Sequence, residues 1–395
     1  MTDTTILRNE FAARFGGDGI AFFAPGRINL IGEHTDYNGG FVFPGAVDCG
    51  ITAVIRPNGT PRVNLYAVDL KRECGFNIDC EQLPEDIHFR YIYGVVREMQ
   101  AAGIPVGGFD AVYGGDVPLG AGMSSSAALE CCFATALNDL FGNNRLDKMT
   151  LAKIGQATEH KYVGVKCGIM DQFASMHGRE GALMRLDCRS GEYKYFPWNP
   201  QGYRLVLVNS CVKHELVGSP YNDRRNSCER VVRLAGVETL RDCTWQQLEA
   251  LLGSPSKLEG VDREAGRGRV SISDEDYRRA RYVLGETDRV LAVCDALQAG
   301  NYEEVGRQMY LTHEGLSKDY EVSCEEIDFL VDIARQCGVS GSRIMGGGFG
   351  GCTINLVKEG LYDVFVERIT ESYRERFGVE CRIIPVVIGA GARKL

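Results

Sequence analysis

Residues 109–142 constrain this chain more than any other stretch. The β-prone segment FDAVYGG runs into DVPLGAGM, where Pro118, Gly120 and Gly122 permit a tight backbone path, and then into SSSAALECCFATALNDLFG. There Leu129, Phe133, Ala136, Leu137 and Leu140 recur at helical spacing, which predicts a helix beginning among Ser124, Ser125 and Ser126. A helix start leaves its first N–H groups unpaired and carries the positive end of the dipole, so it suits an anion such as a polyphosphate. The loop lacks the Gly-Lys-Ser/Thr ending of a Walker A loop and the glycine that would complete a dinucleotide fingerprint, which disfavours P-loop NTPases and Rossmann enzymes. Read alone, it is equally a glycine turn followed by a serine N-cap.

Strand signals surround this segment. IAFFAPGRINL and GFVFPGAVDCGITAVI precede it, bounded by Gly, Pro and Asn-Gly punctuation. A helix is expected over residues 149–163. After the strand candidate YRLVLVNS the chain turns mainly helical over 221–336, with Thr244 an N-cap candidate before WQQLEALLG. CTINLVK, a helix over about 361–377 and a last apolar strand, CRIIPVVIGA, complete the pattern. Strands mixed with separate helical runs imply an α+β architecture in two lobes, residues 1–200 and 201–395.

With 395 residues and 44% hydrophobic content the chain can bury a sizeable core. Its formal net charge of −9 argues against nucleic-acid or anionic-membrane partners. The 15 cysteines include no close-set pairs of zinc-site type, which fits free thiols in a reducing compartment. The charged opening MTDTTILRNEFAARFG does not read as a signal peptide, and no run of about twenty apolar residues follows, so a cytoplasmic location is expected.

Three further clusters carry chemistry. SGSRIMGGGFGGCTINLV formally satisfies G-x-G-x-x-G, but its glycines precede a strand rather than open a helix, so it reads as a loop whose backbone approaches a ligand or another segment, or as a tight hairpin. APGRINLIGEHTDYNGG crowds Arg27, Glu33, His34, Asp36 and Tyr37 around Leu30-Ile31. That alternation of donors and acceptors suits a polyhydroxylated ligand, and a solvated turn would use the same residue types. TEHKYVGVKCGIMDQFASMHG holds Glu159 and Asp171. Asp171 follows an apolar run, and buried carboxylates have a partner or a task.

In this order the blocks resemble the GHMP kinase superfamily along nearly the whole chain. GRINLIGEHTDYNGG is similar to the narrower galactokinase signature, PLGAGMSSSAALE to the superfamily phosphate loop, CGIMDQ to the catalytic segment and GGGFGG to the third motif. The resemblance implies a two-lobed fold with the active site between the lobes and ATP-dependent phosphorylation of galactose at its C1 hydroxyl, the opening step of galactose use. Carried over by residue, Asp171 matches the catalytic carboxylate and Arg27 the arginine beside it. Glu33, His34, Asp36, Gly168 and Tyr221 match sugar-contacting positions, Gly120, Gly122 and Ser124, Ser125 and Ser126 the triphosphate cradle, and Ser126 with Glu159 the pair that holds Mg²⁺. Galactose and ATP are the implied partners, with no nucleic acid and no membrane. N-acetylgalactosamine kinases and non-catalytic galactose/ATP sensors share much of the pattern, although the serine-alanine stretch shortened in sensors is complete here.

Overall fold

The computed structural model describes residues 3–118, 120–212, 221–252 and 272–395. The helical expectation over residues 253–271, and Leu119 of the glycine loop, lie outside the described residues.

Alternation along strand Ile20–Asn29 sorts its side chains to two faces of a six-stranded sheet. In order, that sheet comprises Arg393–Lys394, Ile20–Asn29, Pro44–Pro57, Phe109–Gly115, Arg62–Ala67 and Arg72–Asn77, with only the pairing of Arg62–Ala67 to Phe109–Gly115 parallel. On one face Ala21, Val54 and Val112 pack under Leu7 and Phe11 of helix Thr4–Phe15. On the other, Phe22, Ala24, Ala53 and Ile55 meet a layer of helices, Ile87–Ala101, Ser125–Gly142, Lys148–Thr158 and Met170–His177. Ser125–Gly142 lies in the middle of that layer, against the sheet and against the other three helices, which is why Cys131, Cys132, Phe133 and Ala134 are all fully buried. The helix expected over 149–163 runs as an α-helix to Thr158 and then widens into a looser turn over Glu159–Val163.

The second lobe is a four-stranded antiparallel sheet, ordered Gly341–Met345, Cys352–Lys358, Tyr203–Asn209, Arg382–Pro385, packed with helices Asp274–Gln298, Tyr302–Lys318, Glu325–Gln336 and Tyr362–Phe377. The helix Trp245–Leu252 begins where Thr244 was expected to cap it: Gln247 N–H donates to Thr244 Oγ1 at 3.2 Å, and Gln247 Oε1 accepts in return from the Thr244 N–H at 2.9 Å. Between the lobes Ile28, Leu30, Ile31 and Phe43 pack with Leu207, Val290, Met309 and Ile354 in one continuous core. This α+β, two-lobed arrangement is the one the sequence implies.

Among the described residues the chain crosses between the lobes at two places. It leaves the small sheet of Phe41–Val42, Ala182–Asp187 and Tyr193–Pro197 through a turn at 198–202 to enter Tyr203–Asn209. The final apolar segment is not one strand. Val386 N–H still donates to Leu205 O at 3.1 Å, and beyond it the bonds pass to the first lobe: Gly389 N–H to Ala46 O, Gly391 N–H to Gly178 O and Ala392 N–H to Ser175 O, each 2.8 Å. The last two brace the helix Met170–His177. Among the described residues no helix is long and apolar enough to cross a membrane.

Gly391 makes that brace possible, because a Cβ there would sit 2.6 Å from Met176 O and 2.9 Å from Gly178 N. We expect Gly391→Ala to cost about 1–3 kcal/mol of stability in urea unfolding. An unchanged midpoint would show that the close approach is not under constraint.

Candidate functional site

A register shift in strand Ile20–Asn29 between Pro25 and Arg27 re-aims the Arg27 side chain. Gly26 allows this, since a Cβ there would meet Met123 O at 2.6 Å. Arg27 is buried and grips Asp171 as a fork, Nε to Oδ1 at 2.8 Å and Nη2 to Oδ2 at 2.9 Å. Its backbone N–H donates to Met123 O at 3.0 Å and its Nη1 donates to Gly122 O, so the same residue holds the glycine loop. Burial works against the charge of Arg27, yet Asp171, Glu33 and Asp36 raise its pKa overall. Asp171 stands in the first turn of helix Met170–His177, with its side chain partly open to the cleft.

The glycine loop takes left-handed backbone at Gly120 (φ 72°), Gly122 (φ 65°) and Ser124 (φ 58°) before the helix starts at Ser125. Ser124 therefore does not act as the expected N-cap: its side chain makes no capping bond, and the helix presents its N-terminal end uncapped toward the cleft. A serine held left-handed is strained by about 1–2 kcal/mol, a cost found at ligand-binding turns.

The signature loop is stitched to the second lobe. Gly32 N–H donates to Glu286 Oε1 at 2.8 Å, Tyr282 OH donates to Glu33 O at 3.0 Å, and Glu33 Oε1 accepts from Arg343 Nη1 at 3.1 Å and from the Gly346 N–H at 2.9 Å. His34, itself left-handed at φ 62°, meets Tyr37 OH through Nδ1 at 2.8 Å and lies within 5.4 Å of the Tyr221 ring and 4.9 Å of the Tyr320 ring. Burial first, and then the charge of Arg224, lower its pKa to about 3, so the imidazole is neutral at working pH. Asp36 accepts from the Tyr37 N–H at 3.0 Å and lies so close to Gly168 that a Cβ there would fall 1.9 Å from Asp36 Oδ2. Burial, with Asp171 as the next cause, pushes the Asp36 carboxyl up to about 6.

Glu159 occupies the looser turn after Thr158 and lines the cleft together with Ser126. Burial raises it to about 7, with Ser126 opposing and Asp171 adding to the shift. Glu130, one helical turn beyond Ser126 and fully buried, is also pushed up by burial and by Glu159. Its Oε2 accepts from Gln172 Nε2 at 2.9 Å, while its Oε1 has no partner among the described residues.

One cleft of about 360 Å³ between the lobes brings together Asp171, Arg27, Glu33, His34, Asp36, Gly168, Tyr221, Gly120, Gly122, Ser124, Ser125, Ser126 and Glu159. Tyr91, not singled out in the sequence, lines it as well, as do Gly346 and Gly347 of the glycine cluster whose backbone was expected to approach a ligand or another segment. Beside it, sharing Tyr91, Val117, Ser125 and Ser126, lies a more apolar cavity of about 410 Å³ walled by Ile51, Leu70, His88, Tyr113 and Leu129. Its residues come from separate strands and helices and share no motif, so only the apolar periodicity of each element hinted at them. The cleft offers forked carboxylate chemistry at one end and an anion-binding helix start at the other.

Residues 9–57 match the galactokinase galactose-binding signature, residues 90–179 the N-terminal domain of GHMP kinases and residues 294–374 their C-terminal domain. The galactokinase of Thermotoga maritima is 38% identical over 94% of this chain and 99% of its own, and that of Bacillus subtilis 37% identical over 98% of each. The crystal structure of Lactococcus lactis galactokinase complexed with galactose aligns with a TM-score of 0.90 at 32% identity, covering 100% of both chains. Mevalonate kinase of Methanococcus jannaschii, at 19% identity and a TM-score of 0.64, shares the fold.

The crowding around Asp36 has a thermodynamic signature. Its pKa in the fold, about 6, lies above the ordinary value of 3.8, so the fold binds the proton more tightly than the unfolded chain. The resulting stability is present below pH 4 and lost as pH rises through 6. Asp36→Asn should therefore stabilise the protein at pH 8 by on the order of 2–3 kcal/mol and change little below pH 4. Urea unfolding of both proteins at the two pH values checks this, and equal stabilities at pH 8 would contradict it.

Proposed function

The chain belongs to the galactokinase family of the GHMP kinases, and on that premise we propose how its own residues divide the work of ATP-dependent galactose phosphorylation. The observation that carries the reading is the Arg27–Asp171 fork, set in the same cleft as an uncapped helix start. Phosphoryl transfer asks mainly for positioning and charge stabilisation. The sugar lies among Glu33, His34, Asp36, Gly168 and Tyr221, its C1 hydroxyl toward Asp171. Asp171 accepts the hydroxyl proton or orients the hydroxyl as the bond to phosphorus forms, giving α-galactose 1-phosphate and ADP. Arg27 keeps both carboxylate oxygens in place and balances charge.

The first-turn N–H groups after Ser124 and the loop at Gly120 and Gly122 hold the phosphates. The apolar cavity beyond Tyr91 receives the nucleotide base, because it opens from the same cleft beside the helix start. Asp36 and Glu33 accept hydrogen bonds from ring hydroxyls, including the C4 hydroxyl that separates galactose from glucose.

Mg²⁺ fits the residues present. No group of three or more His, Cys, Asp or Glu stands in ligand geometry among the described residues, but Mg²⁺ bound with a nucleotide takes one or two carboxylates and completes its shell with phosphate and water. Ser126 and Glu159, which line the cleft together beside the helix start, would hold it. The burial-raised carboxyls of Glu159 and Glu130 gain from a nearby cation. When bound, the ion neutralises charge on the β- and γ-phosphates. The fifteen free cysteines support our reading of a reducing, cytoplasmic location.

Coupled measurement of ADP release tests the reading. Galactose should be turned over in strong preference to glucose and N-acetylgalactosamine. Asp171→Asn should keep galactose and ATP binding while losing about 10²–10⁴ in kcat, the usual worth of a general base. Wild-type turnover by that variant would remove Asp171 from the reaction.

A further inference from the structure

The signature loop is held from the second lobe by a residue that lies outside the sugar site. Arg343 sits on strand Gly341–Met345 with its side chain fully buried. Its Nε donates to Leu30 O at 3.0 Å, its Nη2 to Asn29 O, and its Nη1 to Ile344 O and, at 3.1 Å, to Glu33 Oε1. Three of these acceptors, on Asn29, Leu30 and Glu33, belong to the signature itself. Glu33 supplies the sole formal negative charge in this set of contacts.

We propose that Arg343, helped by the Gly346 N–H, is a positioning residue that orients Glu33 toward the sugar and so sets galactose affinity without touching the ligand. The proposal rests on the assignment of Glu33 to the galactose site. Both hydrogen bonds that Glu33 receives on its carboxylate among the described residues fall on Oε1, and Glu33 lines the cleft, so Oε2 is the oxygen left for a ligand hydroxyl. A pair serving stability alone has no need to keep one oxygen free. Because the guanidinium is clamped on two carbonyls of the first lobe, the carboxylate cannot swing away without leaving a buried charge unpaired. The Tyr282 bond to Glu33 O fixes the backbone from the same side. The arrangement therefore makes the third glycine motif, through Gly346, part of sugar recognition, and sugar binding senses how the second lobe is seated on the first.

The test uses Arg343→Lys, Glu33→Gln and the double variant in the full chain, with galactose and a non-hydrolysable ATP analogue titrated separately by calorimetry and kcat and KM measured for galactose. An ammonium cannot span the acceptors that the fork spans. Arg343→Lys should raise the galactose Kd and KM about tenfold, the loss of one well-aligned hydrogen bond, with kcat and the analogue Kd changed less than about twofold. Glu33→Gln should also weaken galactose, and the double variant should be little worse than the weaker single one. If Glu33→Gln weakens galactose but Arg343→Lys binds it as the wild type does, whatever its melting temperature, the proposal is overturned and Glu33 keeps its place. If Glu33→Gln binds galactose normally, both assignments fall. Should Arg343→Lys not fold, amide exchange in the wild type decides: galactose, and not the ATP analogue, should slow exchange of the Gly346 N–H, and an unchanged rate overturns the proposal.

Discussion

The guanidinium of Arg27 is buried where a strand, a glycine loop and a short helix meet, and it reaches from the strand to bond the other two. Removing such a charge from water costs several kcal/mol, which its partners offset only if the geometry is good. The local backbone follows from that demand: the register shift at Pro25, the missing side chain at Gly26 and the carbonyls of Gly122 and Met123 turned toward the arginine. Because one side chain fixes both Asp171 and the loop, the group we propose for the sugar hydroxyl and the helix start we propose for the phosphate keep a set separation. Phosphoryl transfer depends on that separation more than on any reactive side chain.

Around this fork the cleft concentrates groups that the fold alone would avoid. Glu159 and Glu130 are buried carboxyls and Asp36 a half-buried one, all with raised pKa values, and Ser124 and His34 hold left-handed backbone. Each costs stability in the absence of ligand. On the proposed reading, hydroxyl donors on the sugar would suit the acceptors on the signature loop, and a cation held by Glu159 would relieve the crowding beside Ser126. The two lobes share the expense, since Glu286, Tyr282 and Arg343 brace the signature loop from outside the cleft.

Much of this was legible in the sequence, for physical reasons. The passage from strand to glycine loop to helix could be read because its periodicity changes from two to helical within a few residues, and residues close in sequence supply most of the sugar signature. The role of Ser124 was not legible: serine is a common cap, and only the left-handed φ shows that its side chain is not used that way. Arg343 and Glu130 escaped because their partners lie far along the chain or across a helix turn, where composition says nothing about direction. The last apolar segment read as one strand because hydrophobicity cannot tell which of two sheets a backbone bonds to, and the change comes only after Val386.

The central claim is that the cleft presents one particular hydroxyl, the anomeric one, to both Asp171 and the phosphate-holding helix start. Phosphorus and proton NMR of the product formed from galactose and ATP reads the site of transfer directly. The account predicts a single monophosphate whose phosphorus couples to the anomeric proton, in the α configuration. Phosphate found on the C6 hydroxyl, or on a mixture of hydroxyls, would contradict the placement of the sugar against Asp171 from which the mechanism is built.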